Sequence, residues 1–174
     1  MRTSALLKAA NPMPAGKPDF VAASFLTAET FAQVVANAPL VSIDLIVEDE
    51  SGAILLGLRN NPPAQGCWFV PGGRIRKNET LEHAFARISA EEIGLGLIKS
   101  KAQLIDVYEH FYQTDFAGTP GSSTHYVVLA FRVKVARETL ALPTGQHSRY
   151  QWMQPQQAAT HPDVHPYSRA YFAD

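Results

Sequence analysis

The stretch Gly72-Gly73-Arg74-Ile75-Arg76-Lys77-Asn78-Glu79, running into Thr80–Ile93 and closing at Gly94-Leu95, decides how the chain is read. Paired glycines permit a sharp backbone turn and leave carbonyls unshielded. A basic run, Arg74-Ile75-Arg76-Lys77, follows. Leu81, Ala84, Phe85 and Ile88 then fall at offsets of three, four and seven, the apolar stripe of a helix. Arg87, Glu91 and Glu92 occupy its last turns, and Gly94 stands where a helix stops. Adjacent carboxylates on a helix beside a glycine loop suit a divalent cation. Mg²⁺ takes hard oxygen ligands and keeps waters or substrate phosphates in its shell. The plainer alternative is a solvated charged helix after a glycine turn.

Outward from this stretch, the bulk properties set limits. A chain of 174 residues with 46% hydrophobic and 18% charged residues fits one soluble globular domain with a real core. A net charge of −1 provides no general attraction to nucleic acid or anionic membranes, so a polyanionic ligand needs local arginines. The single cysteine, Cys67, excludes an intramolecular disulfide and a cysteine-based zinc cluster. Ala5-Leu6-Leu7 between Arg2 and Lys8 is too short for a signal-peptide core. No apolar run approaches the ~18 residues of a membrane span. The cytoplasm is the default location.

Met1–Asp19 lacks periodicity and reads as a flexible tail, leaving 20–174 as a single domain. Thr27 reads as the N-cap of a helix with Phe31, Val34, Val35 and Ala38 on one stripe, and Leu26 and Phe31 as a hydrophobic staple. Val41–Glu48 alternates as a strand, with Val41, Ile43, Leu45 and Val47 on one face and Ser42, Asp44 and Ile46 on the other. Strands are expected at Ala53–Leu58, Trp68–Pro71, Gln103–His110, Thr124–Val135 and Tyr150–Met153, with Gln146-His147 in a loop and a helical C-terminal tail. Strands surrounding two or three helices predict an α+β fold, a mixed sheet between helices.

Gly73, Glu79, Arg87, Glu91, Glu92, Gly94 and Leu95 fall on the spacing of the Nudix box, which this stretch resembles. Ile88 departs from it by replacing a Glu, and Ser89 replaces an apolar residue. The resemblance narrows outside the box. Pro39–Ser42, Arg59–Gly66, Trp68–Arg74, His110-Phe111-Tyr112, Thr124–Leu129, Gln146-His147 and Ser168–Phe172 are similar to the GDP-mannose mannosyl (glycosyl) hydrolases. That branch shares the Glu-deficient box.

The resemblance implies a Nudix-type α/β/α sandwich and Mg²⁺-dependent hydrolysis of GDP-mannose, or GDP-glucose, at the anomeric carbon with inversion. It implies a metal held by the Gly72 carbonyl, Glu92 and Gln146, and a general base at His147. Arg59 and Arg74 would grip the diphosphate, Tyr126 would donate to the leaving group, and Asp44 and His110 would contact substrate. Arg87 is expected to brace Glu92 or neighbouring carbonyls. Ile88 would share a helical face with Glu91 and Glu92, and losing its carboxylate weakens the case for several metals. A homodimer is implied, with the Thr27–Ala38 helix able to supply interface. Two alternatives are a Nudix diphosphatase cleaving at phosphorus and a non-catalytic nucleotide-sugar-binding module.

Overall fold

The structure is a computed structural model that describes residues 26–61 and 64–173; the tail read over 1–19 lies outside them. A mixed sheet carries the fold. Strand β1 (Leu40–Glu48) lies at its centre, parallel to β6 (Thr124–Lys134) from Leu40↔Tyr126 to Glu48↔Lys134. Strand β5 (Gln103–Tyr112) lies antiparallel on the far side of β6. On the other side β1 meets β2 (Ile54–Arg59) only at Glu48↔Ile54. Beyond that point β1 pairs with β4 (Gly72–Arg74), while β2 pairs with β3 (Trp68–Phe69) and β7 (His147–Met153). This parting of two neighbours brings box glycines and the start of β7 towards one place.

Helices cover both faces, which makes the α/β/α sandwich. Helix α2 (Leu81–Ile93) lays Ala84, Phe85, Ile88 and Ile93 on Ile43, Leu45 and Val47 of β1 and on Phe131 and Val133 of β6. Phe85 meets Phe131 edge-on at 5.3 Å. Burying a side chain of this size contributes roughly 1.5–3 kcal/mol. The opposite core gathers Ile46, Leu56, Trp68, Val70 and Met153 beneath α3 (Pro155–Thr160), α4 (Pro166–Arg169) and the 3-10 turn Ala170–Phe172. Because both faces are covered, β1 is buried almost throughout and its alternation separates two cores rather than core from solvent.

Helix α1 (Ala28–Asn37) begins at Thr27, whose hydroxyl accepts the Thr30 N–H. The expected staple does not form its seal: Leu26 is 48% exposed, and Phe31 packs on Phe116 and the Arg74 guanidinium. No helix of the described residues is long and apolar enough to cross a membrane.

Two local expectations are corrected. Gly72 and Gly73 do not turn; they run as strand β4, and neither has a positive φ. Their missing Cβ allows close approach instead. A Cβ on Gly72 would meet Asp44 Oδ1 at 2.5 Å, and one on Gly73 would crowd Ile88 at 3.2 Å. The chain reverses later, at Asn78 with φ 68°. His147, expected in a loop, is the first residue of β7 and pairs with Arg59 beside a register shift.

Gly94 ends α2 with φ 70°, and a Cβ there would strike the Ala141 carbonyl. Gly94→Ala is therefore expected to destabilise the protein by roughly 2–4 kcal/mol, the sum of left-handed strain and overpacking. Urea denaturation with an unchanged m-value would measure it. A loss below about 0.5 kcal/mol would mean that neither the strain nor the collision operates.

Candidate active site

The parted strands open a cavity of about 170 Å³. Seven of the nine residues singled out from the sequence line it: Asp44, Arg59, Gly72, Arg74, His110, Tyr126 and Gln146. Ser42, Phe69, Gly73 and Tyr112 complete the lining. The alternation of β1 places Ser42 and Asp44 on the cavity side, while pairing of β5 with β6 sets His110 beside Tyr126. Arg59 enters from the end of β2, its guanidinium 5.7 Å from the Phe69 ring centre. Arg74 lies under Phe31, 4.0 Å from that ring. Glu92 and His147 are not part of the lining; they stand behind Gln146.

Glu92 is 3% exposed. Its Oε1 accepts the Gln146 side-chain amide at 2.6 Å, and the nearby Gly72 N–H favours the charged form of this carboxylate. Its Oε2 is buried without a hydrogen-bond partner. Burial raises its pKa to about 7, with the Arg59 charge opposing. A buried carboxylate oxygen left unpaired costs about 1–3 kcal/mol or more, so a cation there would relieve it. Gly72 also has a suitable backbone. The bonds Leu45 N–H to Pro71 O and Ile75 N–H to Val41 O put Gly72 in the non-bonded register. Its N–H and carbonyl therefore face away from β1, on the side where Glu92 lies. Among the described residues no three His, Cys, Asp or Glu side chains gather as a metal site. The donor set that fits an ion is thus one carboxylate with neutral oxygens, a composition suited to Mg²⁺.

His147 is 2% exposed and lies across Gly57, where any Cβ would collide with its ring. Its Nδ1 is 3.8 Å from Glu92 Oε2, and its Nε2 is buried without a partner. Burial, with repulsion from Arg59, lowers its pKa to about 4, so the ring is neutral at neutral pH. The loop before it is anchored by the Asn60 N–H, which donates to the Gln146 carbonyl at 3.0 Å.

The box arginine braces a neighbouring carbonyl, one of its two expected partners, and adds Glu79 and Glu91. Arg87 Nε donates to Glu79 Oε1 at 2.6 Å, Nη1 to Glu91 at 2.7 Å and Nη2 to the Arg74 carbonyl at 2.9 Å. Expectation held for the carbonyl but not for Glu92. Glu91, also paired with Arg76, points outward with its side chain 47% exposed. Ile88 shares the buried face with Glu92 and not with Glu91. Ser89 is satisfied where the pattern has an apolar residue: its hydroxyl donates to Phe85 O and accepts the Leu97 N–H, both at 2.8 Å.

Sequence reasoning attached no role to Tyr171. Its hydroxyl donates to Asp44 Oδ2 at 2.6 Å and lies 3.2 Å from His110 Nε2. Burial raises the Asp44 pKa to about 7, opposed by this hydrogen bond. The signal for Tyr171 is a long-range contact, invisible to local periodicity.

Burial, reinforced by repulsion from His165, lowers the His110 pKa from 6.5 to about 4. As pH falls below 6.5, the unfolded chain gains a proton that the folded state refuses, so stability is lost down to about 4. Removing the histidine removes this penalty. Between about pH 7 and about pH 5, the wild type is expected to lose about 1–2 kcal/mol more than His110→Gln, measured by urea denaturation. Parallel pH dependences would show that His110 titrates as in the unfolded chain.

The NUDIX domain family model matches residues 38–174. The chain is 44% identical over 136 residues to the low-salt glycan biosynthesis protein Agl8 of Haloferax volcanii, covering 77% of this chain and 83% of that protein. It is 39% identical over 70 residues to the ADP-ribose pyrophosphatase of Methanocaldococcus jannaschii, 40% of each protein. A MutT NUDIX hydrolase from Burkholderia pseudomallei has the same fold, with TM-score 0.62 and 24% identity over 78% of this chain and 97% of that one. The family match takes in both sheet partners, the box helix and the C-terminal turns, and the chain belongs to the Nudix family of hydrolases.

Proposed function

We propose that this Nudix hydrolase cleaves a GDP-hexose, GDP-mannose or GDP-glucose, at the sugar's anomeric carbon, releasing GDP and the free sugar with inversion. One observation carries the reading. Where the general box has a second acid facing the site, Ile88 is 1% exposed and packed against Gly73. That leaves Glu92 as the lone buried carboxylate of the box helix. A metal set of this size suits a diphosphate that departs rather than one attacked at phosphorus. The similarity to a protein of glycan biosynthesis supports a nucleotide-sugar substrate.

Glu92, the Gly72 carbonyl and the Gln146 side chain would hold one Mg²⁺. When bound, the ion neutralises charge on the diphosphate leaving group. Arg59 and Arg74, both in the lining, grip the same diphosphate and offset the charge that develops as the carbon–oxygen bond breaks. Tyr126 donates a hydrogen bond to it. Asp44 and His110 hold the sugar. His147 takes the proton of the attacking water. Its imidazole is depressed in part by Arg59, and a diphosphate paired with Arg59 removes that repulsion and raises its basicity. GDP with its diphosphate is a good leaving group, so a modest base on the opposite face suffices.

Hydrolysis in ¹⁸O-water tests the reading. The label is expected in mannose and absent from GDP; GMP and mannose 1-phosphate, with the label on one of their phosphoryl groups, would mean attack at phosphorus, the chemistry of a pyrophosphatase. His147→Ala is expected to lose about 100-fold or more in kcat with GDP affinity within about twofold of wild type, the range for a general base. Wild-type turnover in that variant would remove His147 from the reaction.

A further inference from the structure

The sugar-facing side chains are held by the last turns of the chain. Tyr171 is 5% exposed and its ring packs edge-on against Tyr108 at 4.8 Å. Its hydroxyl is shared between Asp44 Oδ2 at 2.6 Å and His110 Nε2 at 3.2 Å. A phenol has one proton. With Asp44 ionised, that proton goes to its carboxylate, the nearer partner, and the oxygen accepts from His110. The order is therefore His110 Nε2–H to Tyr171 O–H to Asp44.

Tyr167, one turn earlier, holds the same histidine in a second way. Its ring stacks on His110 with centres 4.1 Å apart and planes 5° apart. Its hydroxyl accepts the Phe111 N–H and donates to the Phe111 carbonyl, each at 2.7 Å. Phe111 adjoins His110 on edge strand β5, so this tyrosine fixes both the ring plane and the backbone bearing it. The segment itself is tied to β3 and its exit: Ser168 Oγ accepts the Val70 N–H, and the His165 N–H donates to the Trp68 carbonyl.

We propose that Tyr171 is a positioning residue for the sugar: it fixes His110 as the Nε2–H tautomer, leaving Nδ1 as the ring's acceptor, and holds the Asp44 carboxylate in place. This inference rests on the assignment of Asp44 and His110 to the sugar. A neutral imidazole is required, and burial of His110 favours it. On that assignment, Tyr171 touches Asp44 and His110 but neither of the two arginines. Loss of the Tyr171 hydroxyl therefore disturbs the hexose while leaving the grip on GDP intact.

Two measurements on Tyr171→Phe, which keeps the ring and its packing, test this. In long-range ¹H–¹⁵N NMR spectra of the ligand-free protein, with His110 assigned by His110→Gln, the wild type is expected to show the Nε2–H pattern. Tyr171→Phe is expected to shift it towards Nδ1–H. An Nδ1–H pattern in the wild type, or an unchanged pattern in the variant, overturns the proposal whatever the substrate. In kinetics, kcat/KM for GDP-mannose is expected to fall about tenfold or more, with the inhibition constant for GDP within about twofold of wild type, as misorientation without lost nucleotide binding requires. Unchanged kcat/KM overturns the positioning role. If the wild type does not turn over GDP-mannose, the substrate reading fails while the tautomer measurement still decides the relay.

Discussion

The hydrogen bond from the Gln146 amide to Glu92, 2.6 Å across 54 residues of sequence, joins the box helix to the residue that precedes β7. It occupies one oxygen of a carboxylate that is 3% exposed, and the Gly72 N–H lies near the same group. The other oxygen is left unpaired in the interior. Such an arrangement is costly unless something of opposite charge completes it. The surrounding geometry serves this demand. β4 needs glycine because Asp44 and Ile88 press on it from either side, and β2 needs Gly57 because the His147 ring lies across it. Small residues thus mark where the site's side chains crowd the backbone.

The charges of the box divide into two groups with different work. Glu79, Arg87, Glu91 and Arg76 form a lattice on the outer side of α2 that pins the loop leading into the helix. The bidentate Arg87–Glu79 pair is half-buried and holds Glu79 below the usual carboxylate range. Glu91 is more exposed and contributes less, as solvent screens it. Glu92 alone turns inward. This division explains how the box spacing is preserved with Ile88 in place of an acid: the lattice fixes the loop, and Ile88 fills the core beneath Gly73.

Much of this was legible in the sequence, because box spacing, a helix period and strand alternation are local signals. Gly94 caps α2 as read, and Ser42 and Asp44 share the expected face of β1. Seven of nine singled-out residues meet at one cavity. What escaped were properties set by distant contacts. The box glycines read as a turn because glycine favours turns, yet here the absence of Cβ matters against neighbours far along the chain. His147 read as a loop residue because its register opposite Arg59 depends on pairing between β2 and β7. Tyr171 fell in the resembling run Ser168–Phe172 but drew no role, since its partners are 127 and 61 residues away.

The central claim is that Glu92 alone among the box acids holds the ion that the site is built for. Counting Mn²⁺ bound in the presence of GDP by electron paramagnetic resonance tests it without relying on turnover. One ion per chain is predicted, weakened at least about tenfold by Glu92→Gln and unchanged by Glu91→Gln, which alters only the outer lattice. Two or more ions per chain, or equal binding by Glu92→Gln and the wild type, would contradict the account.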